Sequence, residues 1–403
     1  AEYDASVLEP LELYIEKSGD EITEQLFHFT DKGGRKVALR PEMTPTLARM
    51  AGARANGLRR PVKWFHIGDH FRYERMQKGR TRCFTQLNAD ILGEEGPMAD
   101  AEAIYALTLV CRRLGLQPDA FRVRVSDRDA WMLALESLGI ATGDMGAVLA
   151  VIDKMERVDE EQSRGAVDQI LGAGEGARLM PELRGFASID SVNAMEDWFA
   201  GRSGEWSSRL EARIENWREL TSLLESMGCG DVCEMDLGIV RGLAYYTGFV
   251  FEAFERGRRS RALAGGGRYD HLVSKLGGPD FPAVGWAMGD VTMTDCLEHN
   301  GISLGDGAEG SAFVVTMPST RDEALRDVHA LRMAGRQVVF SYRAAGFGKQ
   351  LKQANQSGCR WVLIYGEDEL KANEVTVKDL QSGLERRVAR DALAPALAEG
   401  ACD

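Results

Sequence analysis

Arginines and a glutamate alternate in one short segment and have the side chains that phosphate and carboxylate recognition requires. The segment FRYERMQKGRTRCFTQ places Arg72 and Glu74 in alternation, with Arg75 and Arg80 close behind. An arginine fork pairs two oxygens of a carboxylate or a phosphate at once, which suits it better than lysine to such ligands. The same alternation also suits an ordinary cross-strand ion pair. This segment alone therefore leaves catalysis and structure equally open.

Two further pairs of polar residues stand at short, regular spacings. Glu42 and Thr44, two residues apart in PEMT, offer a carboxylate and a hydroxyl on one side of the chain, or a helix cap. Gln86 and Asp90 are four residues apart in FTQLNADILG, so both face the same side of a strand among mostly apolar neighbours. Because a buried carboxylate is costly without a partner, we predict a partner for Asp90.

A third region combines a cation, aromatic residues and glycines. RGLAYYTG places Arg241 ahead of Tyr245 and Tyr246, and AGGGRYD follows later in the chain. Glycines in a strand leave room for a ligand to touch the backbone. The two segments together predict a ligand-binding surface on a sheet.

Hydrophobic periodicity and turn signals predict the elements that position these residues. HFT and KVALR flank a DKGG turn, which predicts a hairpin ahead of a helix that opens at Thr44 and Pro45. Residues 63–70 and the run FTQLNADILG predict antiparallel strands around a basic loop. Residues 98–115 and most of 122–235 have helical periodicity, and the sheet pattern resumes at Ile239.

After the linker DGAEG, the remainder of the chain alternates strands and helices, which predicts a small α/β domain with a mixed sheet. The prediction for the whole chain is an α+β fold: an antiparallel sheet with a helical insertion, followed by this α/β domain. The predicted boundaries are 1–121 and 236–305 for the two parts of the first domain, 122–235 for the insertion, and 311–403 for the last domain.

Composition excludes several classes of protein. The 403 residues carry a net charge of −13, the 7 cysteines form no CxxC pair, and the 6 histidines offer no spacing for a metal site. We expect a reducing, cytoplasmic setting, with no apolar run that approaches a membrane span and no signal peptide. Residues 54–82 contain nine basic side chains against two acidic ones. This local excess predicts a selective polyanion site, although a solvated basic face gives the same pattern.

In this order and spacing, the segments resemble the histidyl-tRNA synthetase family of class II aminoacyl-tRNA synthetases. FRYERMQKGRTRCFTQ looks like motif 2, RGLAYYTGFVFE and AGGGRYDHL look like two histidine-binding signatures, and FPAVGWAMGD occupies the place of motif 3. The segments from SAFVVTM to EVTVKDL resemble an anticodon-binding domain. RGLAYYTG together with a Gly-Asp motif 3 is similar to a plant organellar subgroup. The resemblance covers nearly the whole chain.

The resemblance implies a homodimeric histidine–tRNA ligase that forms histidyl-adenylate from histidine and ATP with Mg²⁺, then transfers histidine to tRNA(His), without a prosthetic group or a membrane. It implies two catalytic residues, Arg72 and Arg241, at the reacting carboxylate and α-phosphate. ATP would contact Arg72, Glu74 and Arg80. The residues implied for histidine binding are Glu42, Thr44, Arg72, Gln86, Asp90, Arg241, Tyr245 and Tyr246.

Three positions depart from the family's pattern. Thr292 stands where motif 3 usually has an arginine, Ala244 where aspartate is common, and Ser6 where a motif 1 proline is usual. The motif 1 helix is missing from the sequence, so we expect a segment to precede Ala1. Asp90 stands where many bacterial members have glutamate, so the side chain is shorter but still ends in a carboxylate. One alternative stays open: a histidine-sensing regulatory subunit of ATP phosphoribosyltransferase, whose class commonly lacks the anticodon domain.

Overall fold

The computed structural model divides the chain into two compact units, Ala1–Ile302 and Ser303–Asp403. It describes residues 1–18, 20–73, 81–155, 158–202, 204–240, 245–257, 261–302, 311–343 and 345–397.

A sheet of seven strands forms the centre of the first unit. The strands of this unit are β1 (Leu8–Pro10), β2 (His28–Thr30), β3 (Lys36–Leu39), β4 (Val62–Phe71), β5 (Cys83–Leu92), β6 (Phe121–Asp127), β7 (Cys233–Met235), β8 (Thr247–Glu255), β9 (Ala264–Arg268) and β10 (Ala283–Gly289). The large sheet has the order β4-β5-β10-β9-β8-β6-β7, and a smaller sheet has the order β1-β3-β2. Neighbouring strands of the large sheet are antiparallel except for β6 and β7, which are parallel.

Helices pack against this sheet and fill the interval between β6 and β7. They are α1 (Leu11–Ser18), α2 (Thr44–Arg54), α3 (Pro97–Arg113), α4 (Arg128–Ser137), α5 (Thr142–Ile152), α6 (Glu160–Leu171), α7 (Glu175–Ala187), α8 (Val192–Phe199), α9 (Ser207–Ser226), α10 (Leu272–Lys275) and α11 (Asp290–His299). Helix α3 packs against β5, β9, β10 and α9. A buried apolar cluster joins α3 to the helices between β6 and β7.

The second unit is a small α/β domain around a five-stranded sheet. Its elements are β11 (Ala312–Thr316), α12 (Arg321–Met333), β12 (Val338–Phe340), α13 (Phe347–Gln356), β13 (Trp361–Tyr365), α14 (Glu367–Lys371), β14 (Glu374–Asp379), β15 (Glu385–Ala389) and α15 (Leu393–Ala396). The strand order is β12-β11-β13-β14-β15, with the first three strands parallel and the last two antiparallel. The predicted α+β class and mixed C-terminal sheet are confirmed.

Two details differ from the sequence-based expectation. The predicted helical segment 122–235 begins inside β6, because FRVRVSD alternates buried and partly buried residues and pairs with β8. Its last residues form β7 beside β6. The C-terminal unit also contains α14 and β15, which the periodicity did not predict.

Candidate functional site

Glycines line the open face of the large sheet at its centre. Asp90 on β5 lies directly across from Gly285 on β10, which in turn lies across from Gly267 on β9. Residues in register point to the same face, so the carboxylate of Asp90 projects over a floor without side chains. Gln86, four residues before Asp90, is likewise paired with Gly289. The two polar residues of FTQLNADILG therefore share one face, as predicted.

Asp90 is buried, and its partner is a tyrosine. The hydroxyl of Tyr269 donates a hydrogen bond of 2.6 Å to Oδ1 of Asp90. Burial raises the pKa of Asp90 to about 7, and this hydrogen bond opposes the rise. A Cβ atom on Gly285 would collide with Oδ1 of Asp90, so only glycine fits at that position. The sequence predicted that Asp90 has a partner but did not say which residue it is.

Tyr245 and Tyr246 lie beside this aspartate and are both buried. Their ring centroids are 4.6 Å apart, and the ring of Tyr245 lies 6.2 Å from that of Tyr269 in an edge-to-face arrangement. A Cβ atom on Gly267 would lie 3.0 Å from Cδ1 of Tyr246, so the glycine lets the tyrosine ring pack onto the sheet. The two signatures RGLAYYTG and AGGGRYD therefore meet at one pocket wall.

Arg72 connects the end of β4 to the PEMT segment. Its Nε donates to the carbonyl oxygen of Pro41 at 3.1 Å, and its guanidinium lies 5.2 Å from the ring centroid of Phe84. These contacts orient the fork and, as far as the described residues go, leave Nη1 and Nη2 for a ligand. Gln86, on the strand after Arg72, has a buried Oε1 with no hydrogen-bond partner among the described residues. An unpaired buried amide oxygen is what a bound amine or other donor would satisfy.

Glu42 and Thr44 precede and begin α2. The N-cap position belongs to Met43, so neither the carboxylate nor the hydroxyl takes the capping position that the sequence left open. The hydrogen bond between Arg72 and Pro41 holds PEMT against the end of β4. Three of the predicted site residues fall outside the described ranges. Glu74, Arg80 and Arg241 lie outside the described residues, as does Ala244.

Sequence reasoning missed a cluster of buried polar residues beside the Gln86 end of the site, where β4 pairs with β5. Arg40 is buried and donates to the carbonyl oxygens of Asp69 at 2.9 Å and Ala5 at 3.0 Å. His70 donates from Nδ1 to the carbonyl oxygen of Gly68 at 2.9 Å. Burial, reinforced by the nearby charge of Arg40, lowers the pKa of His70 to about 4, so its ring is neutral at physiological pH.

Motif 3 contributes the start of helix α11. Thr292 lies in its first turn, and its Oγ1 donates to the carbonyl oxygen of Gly289 at 3.4 Å. Asp290 accepts from the backbone N–H of Val291 at 2.8 Å. Thr292 therefore offers a hydroxyl at the position where the family usually has the positive charge of an arginine.

The opposite face of the sheet carries a buried ion pair with a structural role. Arg268 neighbours Gly267 on β9 and therefore points away from the site. Its Nη2 is 2.6 Å from Asp100 on α3, and its Nη1 is 3.1 Å from Asp270. Nη1 and Nη2 also donate to the carbonyl oxygens of Glu94 and Gly96. All three nitrogens are paired, which fastens β9 to the start of α3.

Part of the basic segment 54–82 is structural. Lys63 pairs with Glu102 at 2.5 Å, and the guanidinium of Arg60 lies 4.5 Å from the ring centroid of Phe281. The guanidinium of Arg82 likewise lies over the ring of Tyr73, 4.7 Å from its centroid. The local excess of charge is therefore shared between structural contacts and the site at Arg72.

The C-terminal unit presents aromatic and basic residues on its surface. The side chain of Tyr342 is 85% exposed and lies edge-on to Phe340, with ring centroids 5.3 Å apart. Phe347, at the start of α13, is also exposed. Exposed aromatic rings beside basic residues suit stacking on unpaired bases.

Comparisons with known proteins agree with the fold. The family described as "Histidyl-tRNA synthetase" matches residues 4–290, and "Anticodon binding domain" matches residues 311–400. A histidine–tRNA ligase of Opitutus terrae is 49% identical over 392 residues, which cover 97% of this chain and 89% of that protein. The chloroplastic/mitochondrial histidine–tRNA ligase of Arabidopsis thaliana is 36% identical over 383 residues, covering 95% and 76% respectively.

The solved structures give the same fold. The crystal structure of histidyl-tRNA synthetase from Nostoc sp. PCC 7120 superposes with a TM-score of 0.81 at 23% identity, covering 98% of this chain and 90% of that one. The fold and the family match together define an aminoacyl-tRNA synthetase. The chain belongs to the histidyl-tRNA synthetase family.

Two further findings for the described residues concern metal ligands and membrane-spanning helices. They contain no group of three or more His, Cys, Asp or Glu side chains placed to hold a metal ion. No single helix among them has the length and apolar character of a membrane span, although the bent pair Arg128–Ser137 and Thr142–Ile152 passes that test when the two helices are taken together.

Proposed function

We propose that this chain activates L-histidine with ATP to histidyl-adenylate and transfers histidine to tRNA(His), with release of AMP and diphosphate. The observation that carries the proposal is the buried pair of Asp90 and Tyr269, set over a glycine floor between tyrosine rings. A carboxylate held in this way accepts a ring N–H and rejects side chains that lack one. Membership of the histidyl-tRNA synthetase family supports the same reaction.

The histidine ligands in this proposal surround Asp90. Its carboxylate would accept from the imidazole, with Tyr245 and Tyr246 forming the wall beside it. Glu42, Thr44 and Gln86 would hold the α-amino group, and the unpaired Oε1 of Gln86 supports that role.

The reacting groups would meet at the arginines. Arg72 would bridge the histidine carboxylate and the α-phosphate, since its fork can pair with two anions. Arg241 would stabilise charge at the α-phosphate, and Glu74 and Arg80 would hold ATP; these three assignments rest on the sequence. Mg²⁺ would enter with ATP and neutralise charge on its phosphates.

We further propose a separate role for each part of the chain. Residues 1–121 and 236–305 would form the catalytic core, 122–235 the helical insertion that clasps the acceptor stem, and 311–403 the anticodon-binding domain. The exposed aromatic residues Tyr342 and Phe347 support contact between the last domain and unpaired bases.

We propose a homodimer in the cytoplasm. The edge strand β4 exposes Phe65 and Ile67, and the segment at Val7 and Leu8 is exposed as well. Exposed apolar side chains on a sheet edge favour association with a second copy of the chain. Size-exclusion chromatography with light scattering would test the assembly.

Histidine-dependent exchange of pyrophosphate into ATP tests the proposed chemistry. The purified chain with Mg²⁺, ATP and histidine should exchange pyrophosphate, and it should charge tRNA(His). An Asp90→Asn variant should lose exchange, whereas the matched surface change Asp280→Asn should retain it. Histidine binding without exchange or charging would instead support a histidine-sensing regulatory subunit of ATP phosphoribosyltransferase.

A further inference from the structure

Strand β8 contains a bulge directly after the two tyrosines of the pocket wall. Thr247 pairs with Arg268 of β9, but the next paired residue of β8 is Val250, and the register between the two strands shifts in the interval. Gly248, inside the bulge, has a φ of +56°, in the left-handed region that favours glycine. A bulge bends its strand and changes the direction of neighbouring side chains. The direction of the Tyr246 ring therefore depends on how this bulge is held.

Two hydrogen bonds join Thr247 to Asp270, just beyond the end of β9. Oγ1 of Thr247 donates to Oδ2 of Asp270 at 3.1 Å and accepts from the backbone N–H of Asp270 at 3.2 Å. Oδ1 of the same carboxylate accepts from Nη1 of Arg268 at 3.1 Å and from the backbone N–H of Ala283 at 3.2 Å. One carboxylate thus ties together the start of β8, the end of β9 and the start of β10.

The paired side chains of Thr247 and Asp270 lie on the far side of the sheet from the pocket. Thr247 is in register with Arg268, which points away from the site, so the two side chains share the far face. The residue before Thr247 is Tyr246, and the residue before Asp270 is Tyr269, the partner of the buried aspartate. The two hydrogen bonds therefore join the chain positions that directly follow two tyrosines of the pocket.

An imidazole that binds between Asp90 and the tyrosine wall needs the two at a fixed separation, because a small misplacement of the ring weakens its hydrogen bonds. We propose that Thr247 is a positioning residue for histidine. Its bonds to Asp270 hold the bulge in β8 against the end of β9, and so fix the ring of Tyr246 relative to the buried carboxylate. The inference rests on the proposed function for the identity of the ligand, and it adds a residue of the far face to those that determine histidine affinity.

The test compares histidine with ATP by calorimetry on two variants of Thr247. Thr247→Val keeps the branched shape of the side chain and removes both hydrogen bonds. It should weaken histidine binding by about 10-fold and ATP binding by less than about 2-fold. Thr247→Ser keeps the hydroxyl, so its histidine affinity should stay within about 3-fold of that of the original chain.

Thr376→Val is the matched control. Thr376 is also a threonine on a strand, and its Oγ1 donates to a carboxylate oxygen of Glu369 at 3.1 Å. It lies in the second unit, so its replacement should change neither affinity. Urea denaturation shows whether each variant is folded under the conditions of the titration. If Thr247→Val does not fold, Thr247→Ala takes its place, and the same ratio of affinities decides.

Pyrophosphate exchange gives a second readout that a loss of stability alone would not produce. In Thr247→Val the KM for histidine should rise by about 10-fold, whereas the KM for ATP and the rate at saturating histidine should stay within about 3-fold. Thr247→Ser should restore the KM for histidine. A variant that lowers only the saturating rate would overturn the inference.

Three results of the titrations would also overturn it. They are unchanged histidine affinity in folded Thr247→Val, equal losses for histidine and ATP, and a loss in Thr247→Ser as large as that in Thr247→Val. The unmodified chain separates this inference from the proposed function. If it binds histidine but exchanges no pyrophosphate, the ligase proposal fails, while the ratio of affinities still decides the role of Thr247. If it does not bind histidine, both proposals are overturned.

Discussion

Two buried aspartates lie on opposite faces of the same sheet, and their surroundings differ in how completely they are paired. Asp100 meets Arg268, whose three nitrogens are all engaged by protein oxygens. Among the described residues, Asp90 has only the neutral hydroxyl of Tyr269 as a side-chain hydrogen-bond donor. A buried charge that the protein pairs fully contributes structure, whereas one that is paired incompletely is available to a ligand.

The same chemical change at the two aspartates should therefore have opposite effects, and the larger one is expected at Asp100. Asp100→Asn would remove the nearer and more deeply buried of the two carboxylates that pair with the guanidinium of Arg268, and would leave it only the partly exposed Asp270 among the described residues. We expect a loss of about 3 to 5 kcal/mol in the free energy of unfolding. Urea denaturation measures it, with exposed Asp280→Asn as the control that should remain within about 0.5 kcal/mol. A change at Asp100 as small as that of the control would contradict the comparison.

On the ligand face, the largest expected effect is on rate. If Arg241 stabilises charge at the α-phosphate, Arg241→Ala should slow adenylate formation by about 100-fold or more while leaving histidine affinity largely intact. Pyrophosphate exchange and calorimetry measure the two quantities, and a urea melt shows whether the variant is folded. Unchanged exchange in a folded variant would exclude the catalytic role.

Asp90→Asn should stabilise the empty protein. Burial raises the pKa of Asp90 from 3.8 to about 7. The folded chain therefore loses stability as the pH rises from 3.8 to 7, and above pH 7 the full cost of burying the ionised carboxylate remains. The amide carries no charge and can still accept from Tyr269, so we expect a gain of about 1 to 3 kcal/mol at pH 8. The gain should shrink towards pH 4. A variant that is destabilised at pH 8 would mean that Asp90 is structurally paired like Asp100.

The smallest effect is expected at His70, on β4 beside the Gln86 end of the site. Its pKa is lowered to about 4 by burial and by the charges of Arg40, His66 and Arg72, with the carbonyl of Gly68 acting in the opposite direction. Stability is therefore complete above pH 6.5 and is lost as the pH falls towards 4. Between pH 7 and 5.5 the original chain should lose about 1 kcal/mol more than His70→Gln. Equal losses in parallel urea titrations would place the acid sensitivity elsewhere.

Sequence reasoning predicted the parts of the site that depend on local pattern. Alternation placed Gln86 and Asp90 on one face of β5, and the cost of burying a carboxylate predicted a partner. It did not identify Tyr269, because the pairing of β5 with β10 and β9 depends on contacts between distant segments.

The same limit applies to the fold. The predicted C-terminal strands and helices formed where the hydrophobic pattern was strong. The edge strand β15 has a weaker signal: in ERRVA, exposed and half-buried residues alternate, and three of the five are charged. The end of the predicted insertion at 235 lies in β7, a three-residue strand too short to show a period.

The central claim is that Asp90 recognises the histidine ring. Calorimetric titration of Asp90→Asn with histidine and with ATP, each measured against the unmodified chain, tests it most directly. We predict that histidine binding weakens by about 2 to 4 kcal/mol while ATP binding is nearly unchanged, because the lost charge faces the imidazole pocket. Unchanged histidine affinity, or an equal loss for both ligands, would contradict the claim.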